Sequence, residues 1–435
     1  MSASSLAHAH HDAPTGLALA FRDAASVAPL VLTNRGLIFP TGSEPAGAFA
    51  LRCNEAYGVS TTAIPSIVLA PSGALTVQSA RGVAITRDQG CTFTPATGLP
   101  DVPLGGLAQS PTAPAQLLLS TQDYAATSHV FASDDHGQTW TARARNAPFS
   151  VYDLLVFGAD GARVYASGAR YDHAEKQLIP TWAVSRDGGA SFVDRDVTGL
   201  ARVVLGAHPR DVDTVFARET ASTGISQPHD YLLRSLDGGE TFTRVHETLG
   251  VITSFATSPD GSRVYVGTEV TGLHVSRDGG ATFARVASDD VLSVHCLHHR
   301  DGALWMCATR SPYTQGVWST ADDGQTLTDR LPFARVATQV TCHAPSNLCD
   351  ATFRAWQEEL ASAPKTGTDA HGGGPSIITS GAPSSAPKPP APTTPEPIAH
   401  DEGGGCTLAT INQPTRELCW LLALSLLVAR RKKPS

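Results

Sequence analysis

The 435-residue chain is sparing in charge: only 17% of its residues are Asp, Glu, Lys or Arg. The Lys and Glu that fill exposed helices are scarce, whereas Gly and Pro number 39 and 30, a balance that argues for an all-β protein rich in turns. There is no excess of basic residues. The net charge of -8 leaves no electrostatic footprint for nucleic acid, which is excluded as a partner. No G-x-S-x-G, no H-E-x-x-H and no phosphate-binding loop is present, so no cofactor is expected and the commonest hydrolytic machineries are missing. None of the eight cysteines lies in a C-x-x-C, and no Cys/His spacing fits a structural zinc site. His8, His10 and His11 lie in an amino end expected to be unstructured. On a strand at 295–299, His295 and His299 would face one side and His298 the other, so no metal site is assigned. The start, "MSASSLAHAHHDAPTG", has neither a charged head nor an apolar run. Its Ala-His-Ala-His stretch is similar to the tail of a cleavage region. The natural start is therefore expected upstream with a signal peptide; the alternative is a cytoplasmic protein.

Cysteines outside metal motifs point instead to disulfides and an oxidising compartment. In "VHCLHHRDGALWMCATR", two strands flank an Asp301-Gly302 turn, and pairing Arg300 with Ala303 sets Cys296 opposite Cys307, within disulfide reach. Cys342 and Cys349 flank "HAPSNL" and would close a second short loop. The partners of Cys53 and Cys91 stay open.

What the chain has in abundance is a repeat. "TRDQGCTF", "SDDHGQTW", "SRDGGASF", "SLDGGETF", "SRDGGATF" and "TADDGQTL" carry Asp88, Asp135, Asp187, Asp237, Asp278 and Asp322. Their spacings of 47, 52, 50, 41 and 44 residues are those of a propeller or solenoid. Each unit reads as four short strands separated by turn residues, which is one propeller blade. The aspartates read as corners: the carboxylate accepts backbone N–H groups two or more residues on, and the glycine after it tolerates positive φ. Repetition of one catalytic site six times along a chain has no chemical rationale, whereas repetition of a turn does.

The repeat resembles the Asp-box, or BNR repeat, of sialidases, sortilin-type receptors, xyloglucan-degrading hydrolases and photosystem II assembly-factor-like propellers. The resemblance covers about residues 65–330 and implies a propeller with these turns on the face away from the ligand. It does not carry over an activity. The Phe/Tyr-Arg-Ile-Pro element of sialidases is absent from "TNRGLIFPTG", and there is one propeller here where xyloglucan hydrolases grip a cleft between two. Strands before the first unit ("RGLIFP", "FALRCNEAYGV") and after the last ("RVATQVTCHAPSNLCDATFRAW") would combine into a seventh blade; six blades is the alternative.

The expected organisation is a flexible segment at 1–24, a propeller at 25–360, a linker at 361–405 and a terminal segment at 406–435. The linker is Pro-, Gly-, Ser- and Thr-rich and is expected to be an extended, disordered stalk. Beyond it come Gly405-Cys406, the apolar run 418–429 and "RRKK". This order resembles the MYXO-CTERM sorting tail of myxobacterial surface proteins. The resemblance implies processing and lipid attachment at Cys406, contact with the membrane at least in transit, and export to the outer surface. The run would make only ~18 Å of helix against a hydrocarbon core of ~30 Å. An ordinary tail anchor is the alternative.

Loops joining second and third strands differ most between units. Tyr124, Tyr171, Asp172, His173, Glu175, Lys176, His229, Asp230 and Tyr313 fall in the long ones and would line one rim. Asp172 and Glu175 are the only carboxylate pair there, and glycoside hydrolysis needs two opposed carboxylates. The sequence therefore favours a monomeric binding module for a glycan or an envelope protein over a glycoside hydrolase or a purely structural surface protein.

Overall fold

The computed structural model describes residues 14–362, except 23–27, 42–48, 59–65, 80–81, 124–127, 146–149, 198, 222–228, 287–290, 311–313 and 344–346. It is a seven-bladed β-propeller. Blades 2 to 7 are four-stranded meanders at 66–95, 104–145, 150–196, 202–249, 252–285 and 291–332. Blade 1 is made by both ends of the described chain. Gly16–Ala20, Leu30–Thr33, Gly36–Pro40 and Phe49–Cys53 form its meander, and Val336–Gln339 adds a fifth strand parallel to Phe49–Cys53. Gly16–Ala20 thus belongs to the ring although 1–24 is expected to lie outside it. Its Leu17 and Leu19 pack on the cores beside blade 1, and Thr15 donates its N–H to the Asn34 side chain.

Both sides of each blade are covered by neighbours, which is why strands such as Leu117–Thr121 and Val264–Thr268 are buried at every position. The apolar residues fall into seven clusters among the described residues, one at each boundary between adjacent blades. The boundary between blades 5 and 6 has the smallest cluster of fully buried apolar residues, Leu232, Ile252 and Val266, with Phe216 packed on Phe255 beside it. A polar pair reinforces it. His246 Nε2 lies 2.9 Å from His274 Nδ1, and His274 Nε2 lies 2.8 Å from Thr271 Oγ1. Burial, helped by His246 and Arg285, lowers the His274 pKa to about 4 and keeps the ring neutral.

The six repeated aspartates build the same corner between third and fourth strands. At Asp278, Oδ1 accepts the Ser276 hydroxyl (2.7 Å) and the Thr282 N–H (2.9 Å), Oδ2 accepts the Thr282 hydroxyl (2.6 Å), and Ser276 Oγ accepts the Gly280 N–H (2.8 Å). Asp88, Asp135, Asp187, Asp237 and Asp322 repeat the pattern atom for atom. The two residues after each aspartate are left-handed. The second is always glycine, and the first is Gln89, His136 or Asp323 in blades 2, 3 and 7.

After blade 7 the chain supplies one of the strands expected from it, Val336–Gln339, which joins blade 1. Beyond Val336–Gln339 it forms the helix Asp350–Ser362, because Phe353, Trp356 and Leu360 recur at helical spacing and pack on the blade 1–7 core. Trp356 is fully buried against Phe333, ring centroids 5.5 Å apart, and Glu359 pairs with Arg35. Two disulfides fasten this strap, Cys53–Cys349 and Cys91–Cys342. The short loop expected to close between Cys342 and Cys349 is therefore not formed; ring closure brings each of them to a partner at the other end of the chain. Cys296 and Cys307 face each other in the register and are bonded, Cα to Cα 4.9 Å. Three disulfides suit an oxidising, extracellular environment.

Among the described residues no helix is long and apolar enough to cross a membrane. The stalk, Cys406 and the apolar run 418–429 lie outside the described residues, as do His8, His10 and His11.

Candidate functional site

In a four-stranded meander, turns alternate between the two ends of the strands. Hairpins joining second to third strands therefore share one face of the ring with the links between blades, and the aspartate corners occupy the other. The hairpin face is uneven. Blade 6 closes Val264–Thr268 onto Gly272–Ser276 with a short turn, whereas blade 4 sends out nine-residue arms, Val164–Asp172 and Gln177–Ser185. These pair without interruption to Asp172↔Gln177, while the outer strand covers the third only from Thr181 to Val184. The first strand, Ser150–Phe157, pairs with the second out to Arg170, so only Tyr171↔Leu178 and Asp172↔Gln177 project as a two-stranded ribbon tip, braced by Arg170 Nη2 on Asp196 Oδ2 at 2.7 Å.

The ribbon tip carries five of the rim residues expected from the sequence. Tyr171 and His173 meet edge to face, centroids 4.8 Å apart. Asp172 Oδ1 accepts the N–H of Ala174 (2.8 Å) and of Glu175 (3.2 Å), which holds its pKa below the ordinary carboxylate value, and Lys176 takes a left-handed conformation (φ 53°) to complete the turn. Asp172 is thus a turn residue, and Glu175 sits in the same turn rather than across a cleft from it. The pair does not have the opposed arrangement glycosidases require.

On blade 5, His229 is partly exposed and faces Glu247, Nδ1 to Oε1 3.3 Å. Asp230, expected on the rim, is fully buried: Oδ2 binds Arg218 Nη1 (2.9 Å) and accepts the Ile252 N–H (2.7 Å), tying blade 5 to blade 6. Its side chain alternates inward along the third strand, which loop membership could not reveal. Tyr124 and Tyr313 lie outside the described residues.

The histidines of blade 7 do not converge. A bulge between Val294 and Cys296 breaks the two-residue alternation, so His295 turns to Ser293 and Thr309. His299 stacks on Tyr265 of blade 6, and His298 meets Phe21 on the other side. No group of three or more His, Cys, Asp or Glu residues able to hold a metal occurs among the described residues.

Sequence reasoning missed a cleft at the blade 4–5 boundary, under the Gly199-Leu200 link on the hairpin face. Its volume is about 350 Å³. Glu219, 8% exposed in its side chain, receives Arg202 Nε on Oε1 (3.0 Å) and Arg244 Nη2 on Oε2 (3.2 Å). Arg202 lies over the Phe242 ring and Arg244 over that of Tyr231, 5.0 and 4.0 Å to the centroids. One signal was legible: in "VFARE", Val215, Ala217 and Glu219 alternate onto one face, so a carboxylate takes the third apolar position.

No family model matches this chain, and no curated protein matches it. Solved structures do. Hydrazine synthase of Kuenenia stuttgartiensis aligns over 74% of this chain and 100% of the other at 11% identity, TM-score 0.53. The GH74 xyloglucanase of Xanthomonas campestris aligns over 74% and 54% at 15% identity, TM-score 0.50. The GH74 enzyme of Niastella koreensis aligns over 70% and 42% at 18% identity, TM-score 0.47. The chain thus spans about half the length of the two GH74 enzymes, and at these identities the likeness is one of fold.

Proposed function

We propose that this chain is an exported β-propeller of the cell surface whose hairpin face binds a glycan or protein ligand. Its repeat is of the Asp-box type. Its carboxyl end acts as a MYXO-CTERM-like sorting or anchoring segment processed at Cys406. The observation that carries the binding reading is the blade 4 hairpin, supported by the first strand as far as Arg170 and presenting Tyr171, His173 and Lys176 at a projecting tip fixed by Asp172. Aromatic and polar groups on a preorganised support lose little conformational freedom on binding. The three disulfides are consistent with export. GH74 enzymes share the fold, but Asp172 is occupied in its turn and has no carboxylate opposed to it on the ribbon, which weighs against a hydrolase.

The test exposes the full chain to polysaccharides, sialosides and cell-envelope fractions, following retention and release of reducing ends on the same samples. Retention without release, weakened several-fold by Tyr171→Ala or His173→Ala, supports the reading. Release abolished by Glu175→Gln would replace it with a hydrolase.

A further inference from the structure

The arginine pair of the blade 4–5 cleft carries more positive charge than its own carboxylate neutralises. Two guanidinium groups meet one buried Glu219, and each spends a single nitrogen on it. The terminal nitrogens of Arg202, and Nε and Nη1 of Arg244, have no hydrogen-bond partner among the described residues. The Arg244 side chain is 54% exposed and that of Arg202 28%, so these donors are open to solvent. The aromatic rings beneath both planes fix their orientation. A planar, oriented guanidinium with spare donors matches a carboxylate as a two-pronged acceptor. Leu200, Leu233 and Phe242 supply an apolar wall, and the volume suits a single ring-sized group.

We propose that this cleft binds the carboxylate of an acidic sugar, a uronic acid unit, with Arg244 and Arg202 as its donors and the ring lying on Leu200 and Phe242. This rests on the binding reading above and deepens it by naming a ligand class. The cleft is distinct from the ribbon tip, since none of its lining residues belongs to the ribbon. Glu219 sets the balance of the site: it orients both arginines and at the same time competes with an incoming anion.

Isothermal titration calorimetry on the full chain tests this with D-glucuronate, with D-glucose as the neutral match and with sulfate as the non-carboxylate anion. Saturable binding of glucuronate and not glucose, reduced at least tenfold by Arg244→Gln, is the expected result. Glu219→Gln, which keeps the shape and one acceptor oxygen but removes the competing charge, is expected to tighten binding several-fold. A purely structural role for the cluster would not produce that gain. Arg202→Gln is the second variant should Arg244→Gln alter the circular dichroism spectrum. Absence of glucuronate binding to the wild type and to Glu219→Gln overturns the proposal, as does displacement by equimolar sulfate. If retention on the polysaccharide panel and its sensitivity to Tyr171→Ala persist while glucuronate fails, only the cleft assignment falls.

Discussion

The phenol of Tyr265 in blade 6 donates to the carboxylate of Asp323 in blade 7 at 2.8 Å, and Asp323 is one of the left-handed residues that follow a corner aspartate. Arg263 and Arg277 of blade 6 close on the same carboxylate at 3.2 and 2.9 Å. Glycine would relieve the backbone at position 323, a gain of up to about 1 kcal/mol. It would also strand a buried phenol and the two arginines. Asp323→Gly is therefore expected to destabilise by roughly 2 kcal/mol net in denaturant unfolding, given the usual cost of an unsatisfied buried group.

The contrast is blade 2. Gln89 is exposed and left-handed (φ 58°), so Gln89→Gly is expected to be neutral or stabilising by up to about 1 kcal/mol. At the next residue the sign reverses. A Cβ on Gly90 would lie 3.0 Å from the Phe39 ring in a backbone at φ +84°, so Gly90→Ala should cost about 1–3 kcal/mol. Paired unfolding curves decide both.

Mild acid should weaken the boundary between blades 5 and 6, alongside blade 7, where burial also lowers the pKa of His295, His298 and His299. The His274 pKa is depressed from 6.5 to about 4, so the unfolded chain takes up the proton first. Stability from this site is present above pH 6.5 and lost as pH falls toward 4. The melting temperature of the wild type should decline across that window, and His274→Leu should flatten the decline.

Stronger acid acts on the corners. For Asp187 burial pushes upward, but the hydroxyls of Ser191 and Ser185 and the Ser191 N–H prevail and bring it to about 2. Asp237 and Asp322 also titrate near 2, led by the hydroxyls of Thr241 and Thr326. Depressed carboxylates stabilise above the ordinary value and lose that effect as pH falls through the folded one. A second fall between about pH 4 and pH 2 is expected, smaller in Asp237→Asn, and read from the same melting series.

Removing Cys53–Cys349 should cost more than removing Cys296–Cys307. The first closes a separation of 296 residues and the second one of 11, which the chain-entropy model converts to about 6 and about 3 kcal/mol. Double Cys→Ala variants compared by calorimetry test the order.

The corners were legible because each is local: five side-chain and backbone groups within seven residues fix it, and chain position hardly matters. The Cys296–Cys307 register was legible for the same reason. Cys53–Cys349 and Cys91–Cys342 were not, because only closure of the ring brings those residues together. The terminal helix hid behind two cysteines and the expectation of strands, although Phe353, Trp356 and Leu360 had the spacing to declare it. Asp230 and His295 defeated the reading through strand alternation, one by pointing inward and the other by falling in a bulge. The arginine pair lies on two strands that meet only through Glu219, and its one signal was a carboxylate at an apolar position.

The strap has a mechanical consequence. Tension applied beyond Ser362 would first peel the helix, whose loss releases at most its 13 residues. It would then reach Cys349 and pass through covalent bonds into Cys53 on the neighbouring strand. The hydrogen-bonded seam at Val336–Gln339 is bypassed. A ring tethered by this end would keep its shape under drag, and the load would be carried by sulfur rather than by the ladder that closes the circle.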